Sequence, residues 1–227
     1  MGWSEINKYA IQAHNALFPQ WADKNYGDIT KIEWESVPDF DLFTYSSPCQ
    51  DFSMAGLQRG GGEGSGTRSS LLWECKKAIR AKRPKYLLQE NVKGLVTQKF
   101  IHDFRKWEQW LAGEGYNNYC KVLNAKDFNI PQNRERIFMV SILGEGDFEF
   151  PDPVPLAASL DDICEENVGE EYYLSEEMVR GLMKHGEAHA ERGNGFVFAP
   201  VDTRGAAHTI RANGAIGVTD NYIEETD

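Results

Sequence analysis

The sequence predicts an α/β protein: a sheet served by crossover helices, followed by a smaller, mostly β or irregular module. Three observations predict it. Short apolar runs alternate with amphipathic stretches over roughly the first 150 residues, the pattern of strands joined by helices. Polar clusters flank three of those apolar runs directly, and an open sheet binds its ligands at strand ends. Near residue 150 the character changes: Pro151, Pro153 and Pro155 mark a boundary, and the chain beyond is acidic and glycine-rich. Two regions follow, 1–150 and 151–227.

Residues 5–18 read as a helix, with Tyr9, Ala10, Ala13 and Leu17 near helical spacing. Gly27-Asp28-Ile29-Thr30 reads as a turn or the end of a short strand. Residues 39–45 form a strand of buried character, and 46–70 a long loop carrying Gly56, Gly60, Gly61, Gly62, Gly64 and Gly66. A loop of that length is functional or disordered. Residues 70–81 return to a helix, on the apolar stripe of Leu71, Leu72, Cys75, Ala78 and Ile79, and Pro84 stops it. Tyr86-Leu87-Leu88-Gln89 is a short buried strand. Residues 100–111 are an amphipathic helix closed by Gly113 and Gly115. Residues 116–124 and 136–142 are strands, a hairpin joined around Pro131. In the second region a helix over 175–185 and short strands near Phe196-Val197-Phe198 and His208-Thr209-Ile210 are expected.

Bulk composition narrows the class. Hydrophobic residues make up 41% and charged residues 26%, ordinary for a globular protein with a sizeable core. No apolar run approaches the ~20 residues of a membrane span, and the N-terminus lacks the basic and apolar regions of a signal peptide; a cytoplasmic protein without membrane partners is expected. Cys49, Cys75, Cys120 and Cys164 stand at no metal-ligand spacing, so no metal is expected. The net charge of −11 weighs against nucleic acid, but the charge is uneven. Acid concentrates at 161–177, while Lys76, Lys77, Arg80, Lys82, Arg83 and Lys85 form a basic run. That run reads as a solvated helix face rather than a phosphate track.

The three polar clusters are the candidates for chemistry. Ser47-Pro48-Cys49-Gln50 follows the strand Leu42-Phe43-Thr44-Tyr45. Glu90-Asn91-Val92 follows Tyr86-Leu87-Leu88. Gln132-Asn133-Arg134-Glu135-Arg136 leads into Ile137-Phe138-Met139-Val140. Alone, each is unspecific: a free cysteine is more often an inert buried thiol, and an arginine pair more often a surface ion-pair partner. If the strands are sheet neighbours, a thiol and a carboxylic acid face one pocket and the arginines can join them.

In this order the clusters resemble the cytosine-5 DNA methyltransferases of bacterial restriction-modification systems, over nearly all of 3–223. Pro48-Cys49-Gln50, with Phe52-Ser53 and Ala55-Gly56 after it, is similar to that family's nucleophile motif. Glu90-Asn91-Val92 is similar to its second catalytic motif, and Gln132, Arg134 and Arg136 to its Gln-x-Arg-x-Arg motif. The resemblance implies a Rossmann-like S-adenosylmethionine-dependent methyltransferase sheet followed by a small target-recognition region. It implies methyl transfer from S-adenosylmethionine to C5 of cytosine in double-stranded DNA.

The residue types suit that chemistry. Cytosine C5 is too weak a nucleophile to take a methyl group directly, and a thiolate adding at C6 converts the ring to an enamine that can. A cysteine, Cys49 here, supplies thiolate near neutral pH. A carboxylic acid can relieve the developing charge at N3, and Glu90 is the candidate. A guanidinium at O2 stabilises the same charge, and Arg136 is the match, with Arg134 beside it. The target base must leave the stack, and the glycine-rich stretch from Gln50 to Arg68 suits a loop closing behind it.

The resemblance also assigns binding residues. Glu5 matches the acid that binds ribose hydroxyls, and Ile6 lies near the adenine. Asp28 and Ile29 match the adenine-binding turn, Leu71 flanks the adenine, and Pro48 faces the cofactor. Gln50, Ser53, Arg68 and Gln132 are expected to face DNA. Thr209-Ile210-Arg211-Ala212-Asn213-Gly214 resembles a recognition strand and loop, where Arg211 and Asn213 would read base edges.

The chain departs from the family at both ends. By the resemblance, the opening strand with its glycine-rich turn is expected to be missing, and so are the segments that would follow Asn221-Tyr222-Ile223. Both regions are therefore expected to be incomplete, with the sheet truncated at its first strand. The exposed edge could be covered by a rearranged element, a second copy or a complementing chain. The isolated chain is expected to be weak or inactive. One rival is a catalytically silent DNA-binding relative. An adenine-nucleotide oxidoreductase is disfavoured, because no Gly-x-Gly-x-x-Gly follows a first strand.

Overall fold

The structure, a computed structural model, describes residues 1–47, 68–165, 167–191, 198–210 and 220–224. It divides into two compact units, Met1–Val122 with Arg136–Phe150, and Leu123–Glu135 with Pro151–Asp227.

In the first unit, helix α1 (Lys8–Leu17) starts three residues later than the apolar spacing suggests. Glu5 Oε1 accepts from the amides of Ile6 and Asn7 at 2.7 and 2.8 Å, and Asn7 Oδ1 then caps the helix by accepting from Tyr9 and Ala10. Strand β1 (Leu42–Tyr45) is followed, beyond 48–67, by a 3-10 turn over Arg68–Glu74 and helix α2 (Cys75–Lys82). That helix buries Cys75, Ala78 and Ile79 and stops where Arg83 turns left-handed, at φ 48°, ahead of Pro84.

Strand β2 (Tyr86–Val92) is longer than the sequence suggests. It runs parallel to β1, with Tyr45 opposite Gln89. Its last residues, Glu90, Asn91 and Val92, pair antiparallel with Phe138, Ile137 and Arg136 of β5 (Glu135–Leu143). Glu90 therefore lies inside a strand rather than after one. Helix α3 (Ile101–Gly113) buries Phe104, Trp107 and Leu111, at helical spacing, and ends against Gly115 at φ 93°. With β3 (Tyr116–Asn124) the sheet order is β1-β2-β5-β3.

The two faces of this sheet differ. Leu87, Ile137 and Met139 join Trp73, Trp107 and Leu111 in the main core. Trp107 stacks on Trp110 at 5.0 Å, meets Trp73 edge-on at 5.4 Å, and donates its Nε1–H to the Tyr45 hydroxyl at 3.1 Å. Glu90, Arg136, Leu42 and Tyr86 stand on the other face, where Leu42 and Tyr86 are 54% and 40% exposed. Among the described residues no strand pairs with the outer edge of β1.

The second unit holds β4 (Gln132–Asn133), which pairs in parallel with β6 (Ala207–His208). Helix α4 (Glu176–Glu191) is longer than expected, its first turn closed by Ser175 Oγ accepting from the Met178 amide at 3.3 Å. Of the strand expected near 196–198, Phe198 lies outside any strand and 196–197 fall outside the described residues. Among its described residues few apolar side chains are buried; Leu160 and Ala207 are the main ones. Side chains bonded to backbone take their place. Asn129 Oδ1 accepts from the amides of Ala157 and Ala158 at 2.8 and 2.9 Å. Asn221 brackets His208, accepting from its amide at 2.7 Å and donating to its carbonyl at 3.1 Å. Among the described residues no helix is long and apolar enough to cross a membrane.

Candidate active site

A strand sends successive side chains to opposite faces, and at the carboxyl ends of β1 and β2 this sorts the polar residues into two sets. On one face, Arg136 Nε meets Glu90 Oε1 at 3.0 Å, with Arg136 17% and Glu90 38% exposed. Ser46 Oγ donates to Glu90 Oε2 at 3.3 Å. On the opposite face, the buried Asn91 amide donates to Ser47 O at 3.1 Å and to Ser47 Oγ at 3.0 Å. Asn91 Oδ1 accepts from the Val92 amide at 2.9 Å. One strand end thus presents a carboxylate held by a guanidinium and also anchors the backbone two residues before Cys49. Cys49 itself, with Pro48, Gln50 and Ser53, lies outside the described residues. Among the described thiols, desolvation pushes Cys75 up to about 12. Cys120 also rises to about 12, through desolvation and then the neighbouring Glu108 carboxylate. Both are poor sources of thiolate at neutral pH.

The profile of the C-5 cytosine-specific DNA methylase family matches residues 1–223. The chain belongs to that family. Among its relatives, the type II methyltransferase M2.ScrFI of Lactococcus lactis subsp. cremoris is 54% identical over 158 residues, 69% of this chain and 44% of that protein. The type II methyltransferase M.NlaX of Neisseria lactamica is 36% identical over 211 residues, 92% of this chain and 66% of that protein. The chain thus spans about half to two thirds of the length of these relatives. Among solved structures, the Entamoeba histolytica methyltransferase EhMeth superposes with a TM-score of 0.66 at 17% identity, over 80% of this chain and 57% of that one. The S. pombe Dnmt2 methyltransferase gives 0.63 at 21% identity, over 90% and 61%. Both share the methyltransferase fold.

Within this member of the C-5 cytosine-specific DNA methylase family, the residues matched to the cofactor divide by environment. Glu5 and Asp28 close two short chain segments that run side by side. The Tyr26 amide donates to Trp3 O at 2.8 Å and the Trp3 amide to Lys24 O at 3.1 Å, and the bridge between Trp3 and Asn25 is parallel. Asn25 ties the ends together: its Oδ1 accepts from the Glu5 and Gly27 amides, both at 3.0 Å, and its Nδ2 donates to Glu5 O at 3.0 Å. Gly27 makes the turn at φ 73°. Asp28 Oδ1 accepts from the Thr30 amide at 3.0 Å and hydroxyl at 2.8 Å, and these bonds hold its carboxyl below the usual value. Ile29 packs against the core, Leu71 is half-buried, and Ile6 is 72% exposed. Two carboxylates at adjoining segment ends, with an exposed isoleucine beside one, fit a ribose diol and an adenine ring. Asn25, which organises them, had no motif to mark it.

The Gln-x-Arg-x-Arg segment is divided between the units. Arg136 lies in the first, whereas Gln132 and Arg134 lie in the second. Gln132 pairs with Ala207, and the Arg134 guanidinium donates to Ile210 O at 3.5 Å. The Thr209 hydroxyl donates to Asn133 O at 2.7 Å. Residues 132–134 are therefore strapped to the segment that leads into Arg211 and Asn213, which lie outside the described residues. Arg68 begins the 3-10 turn before α2. The basic run is largely engaged: Lys77 pairs with Glu74, Arg80 and Arg83 with Glu114, and Lys82 with Asp39. Lys76 lies over Trp73 at 4.3 Å.

Proposed function

We propose that this chain carries the cytosine-attacking part of a DNA (cytosine-5-)-methyltransferase of the restriction-modification type, acting on a base flipped out of double-stranded DNA. The observation that carries the reading is the Glu90–Arg136 pair at 3.0 Å, set beside an anchored segment whose next residues are Pro48 and Cys49. The Cys49 thiolate adds at C6 and forms an S–C6 bond. The Glu90 carboxyl gives its proton to N3 as charge moves into the ring. The Arg136 guanidinium faces the charge on O2. Glu5, Ile6, Asp28, Ile29, Pro48 and Leu71 hold S-adenosylmethionine, which when bound supplies the methyl group. Loss of the C5 proton then lets Cys49 leave. Gln50, Ser53, Arg68 and Gln132 contact the DNA, and Arg211 and Asn213 read base edges. Arg134 positions the recognition segment through Ile210 O rather than touching the reacting ring.

The test is covalent capture on duplex DNA carrying 5-fluorocytosine, which retains the adduct because its C5 substituent cannot leave as a proton. The wild-type chain with S-adenosylmethionine is expected to form a denaturation-resistant adduct slowly, in keeping with the weak activity expected of the isolated chain, and Cys49→Ser none. Absence of adduct from the wild type counts against the reading.

A second reading, in which a complementing chain or a second copy is required, is favoured by the outer edge of β1, which no strand among the described residues pairs, and by the exposure of Leu42 and Tyr86 beside it. Calorimetric titration with S-adenosylmethionine separates the two. Saturable binding by the lone chain supports self-sufficiency, and none by the folded chain supports a partner.

A further inference from the structure

We infer that Ser46 is a positioning residue for Glu90, fixing which carboxyl oxygen carries the transferred proton; the inference rests on Glu90 being the proton donor proposed above. The register supplies the first argument. Tyr45 stands opposite Gln89, so the next residue along, Ser46, comes beside Glu90 and on its face of the sheet. Ser47 falls on the face of Asn91, and each serine bonds the partner its position dictates.

The second argument is the chemistry of the two partners. A guanidinium only donates. Arg136 Nε on Glu90 Oε1 favours the carbonyl form of that oxygen, the better acceptor, and so directs the carboxyl proton to Oε2. Oε2 faces the Ser46 hydroxyl, which can accept as well as donate. Ser46 is thus the one of these two partners that suits both protonation states. Before transfer it accepts from Oε2–H. As the Oε2–H bond breaks and the N3–H bond forms, the electron pair stays on Oε2 and the hydroxyl turns to donate to it. When Cys49 is eliminated, the N3 proton returns to Oε2 and the hydroxyl turns back. The hydroxyl has a resting alternative in Ser47 O at 3.4 Å, so the rotation has two close stations.

The experiment is single-turnover capture on 5-fluorocytosine duplex DNA with the full chain, comparing wild type, Ser46→Ala, Ser46→Thr and Glu90→Gln. Ser46→Ala is expected to slow adduct formation about tenfold, with the DNA concentration at half-maximal rate changed by less than about twofold. Ser46→Thr, which restores the hydroxyl, should recover most of the rate. Because Ser46 is exposed, the thermal midpoints of Ser46→Ala and Ser46→Thr should match the wild type. A Ser46→Ala rate equal to wild type overturns the inference, and so does an equal loss in Ser46→Ala and Ser46→Thr. No adduct from the wild type removes the underlying reading itself, and the inference with it. Adduct from the wild type and from Glu90→Gln at the same rate overturns the role of Glu90, and with it that of Ser46.

Discussion

The two units of this chain are held together by different physics. The first buries large apolar side chains, with Trp107, Leu111, Leu87 and Ile79 at most 1% exposed and an indole cluster at its centre. The second, among its described residues, buries little and relies on side chains that satisfy backbone groups: Asn129 on 157–158, Asn221 on His208, Thr209 on Asn133. Apolar burial is non-directional and cumulative. A side-chain bond to backbone fixes one geometry and contributes about 1 kcal/mol net. The first unit is therefore suited to carry a carboxylate–guanidinium pair in a set place. The second is suited to a surface whose shape depends on a few replaceable contacts.

The sharpest way to break that contrast is Trp107→Ala. It removes the centre of the indole cluster and the bond to Tyr45, and should cost about 3–5 kcal/mol by denaturant titration. A loss below about 1 kcal/mol would mean the first unit is not held by its core. Asn91→Ala should come next. It leaves Ser47 O and the Val92 amide without their buried partner, costs about 1–3 kcal/mol, and should suppress adduct formation more than Trp110→Ala at matched stability. In the second unit, Asn221→Ala should cost about 1 kcal/mol and speed hydrogen exchange at the His208 amide. Exchange at Leu87 and Met139 should not change; a coupled rise there would erase the distinction between the units.

The smallest effect is at Asp28. The Thr30 amide and hydroxyl hold its carboxyl below its ordinary value of 3.8. A lowered folded-state pKa contributes stability above the unfolded value, and that contribution is lost as pH falls through the lowered one. The thermal midpoint of Asp28→Asn should thus fall below wild type at neutral pH, and the two should converge in acid below 3.8. A constant offset across that range would show that ionisation of Asp28 plays no part.

The same contrast explains what could be read from residue order. In the first unit, Phe104, Trp107 and Leu111 repeat at helical spacing, and Ile137 and Met139 alternate, because one face of each element meets a core. Boundaries failed where polar groups decide them. Glu5 and Asn7 delay α1 by taking amides that the apolar spacing assigned to the helix. Glu90, Asn91 and Val92 extend β2 because β5 offers them partners, which no local signal announces. In the second unit the short β6 and its strap to 131–134 depend on bonds between residues some 76 apart, and no periodicity encodes those. Within the candidate site, Glu90 and Arg136 were marked by their motifs. Ser46 and Asn25 were not, because each matters through the register of two strands or segments.

The outer margin of β1 has a practical side. Leu42-Phe43-Thr44-Tyr45 offers a row of amides and carbonyls with no lysine, proline or bulge among them to discourage a neighbour. Among the described residues its short length and the preceding Asp39 and Asp41 are what guard it. An edge of that kind invites a second molecule to pair along it at the concentrations used for calorimetry or spectroscopy, so dilution series belong beside every measurement of ligand uptake.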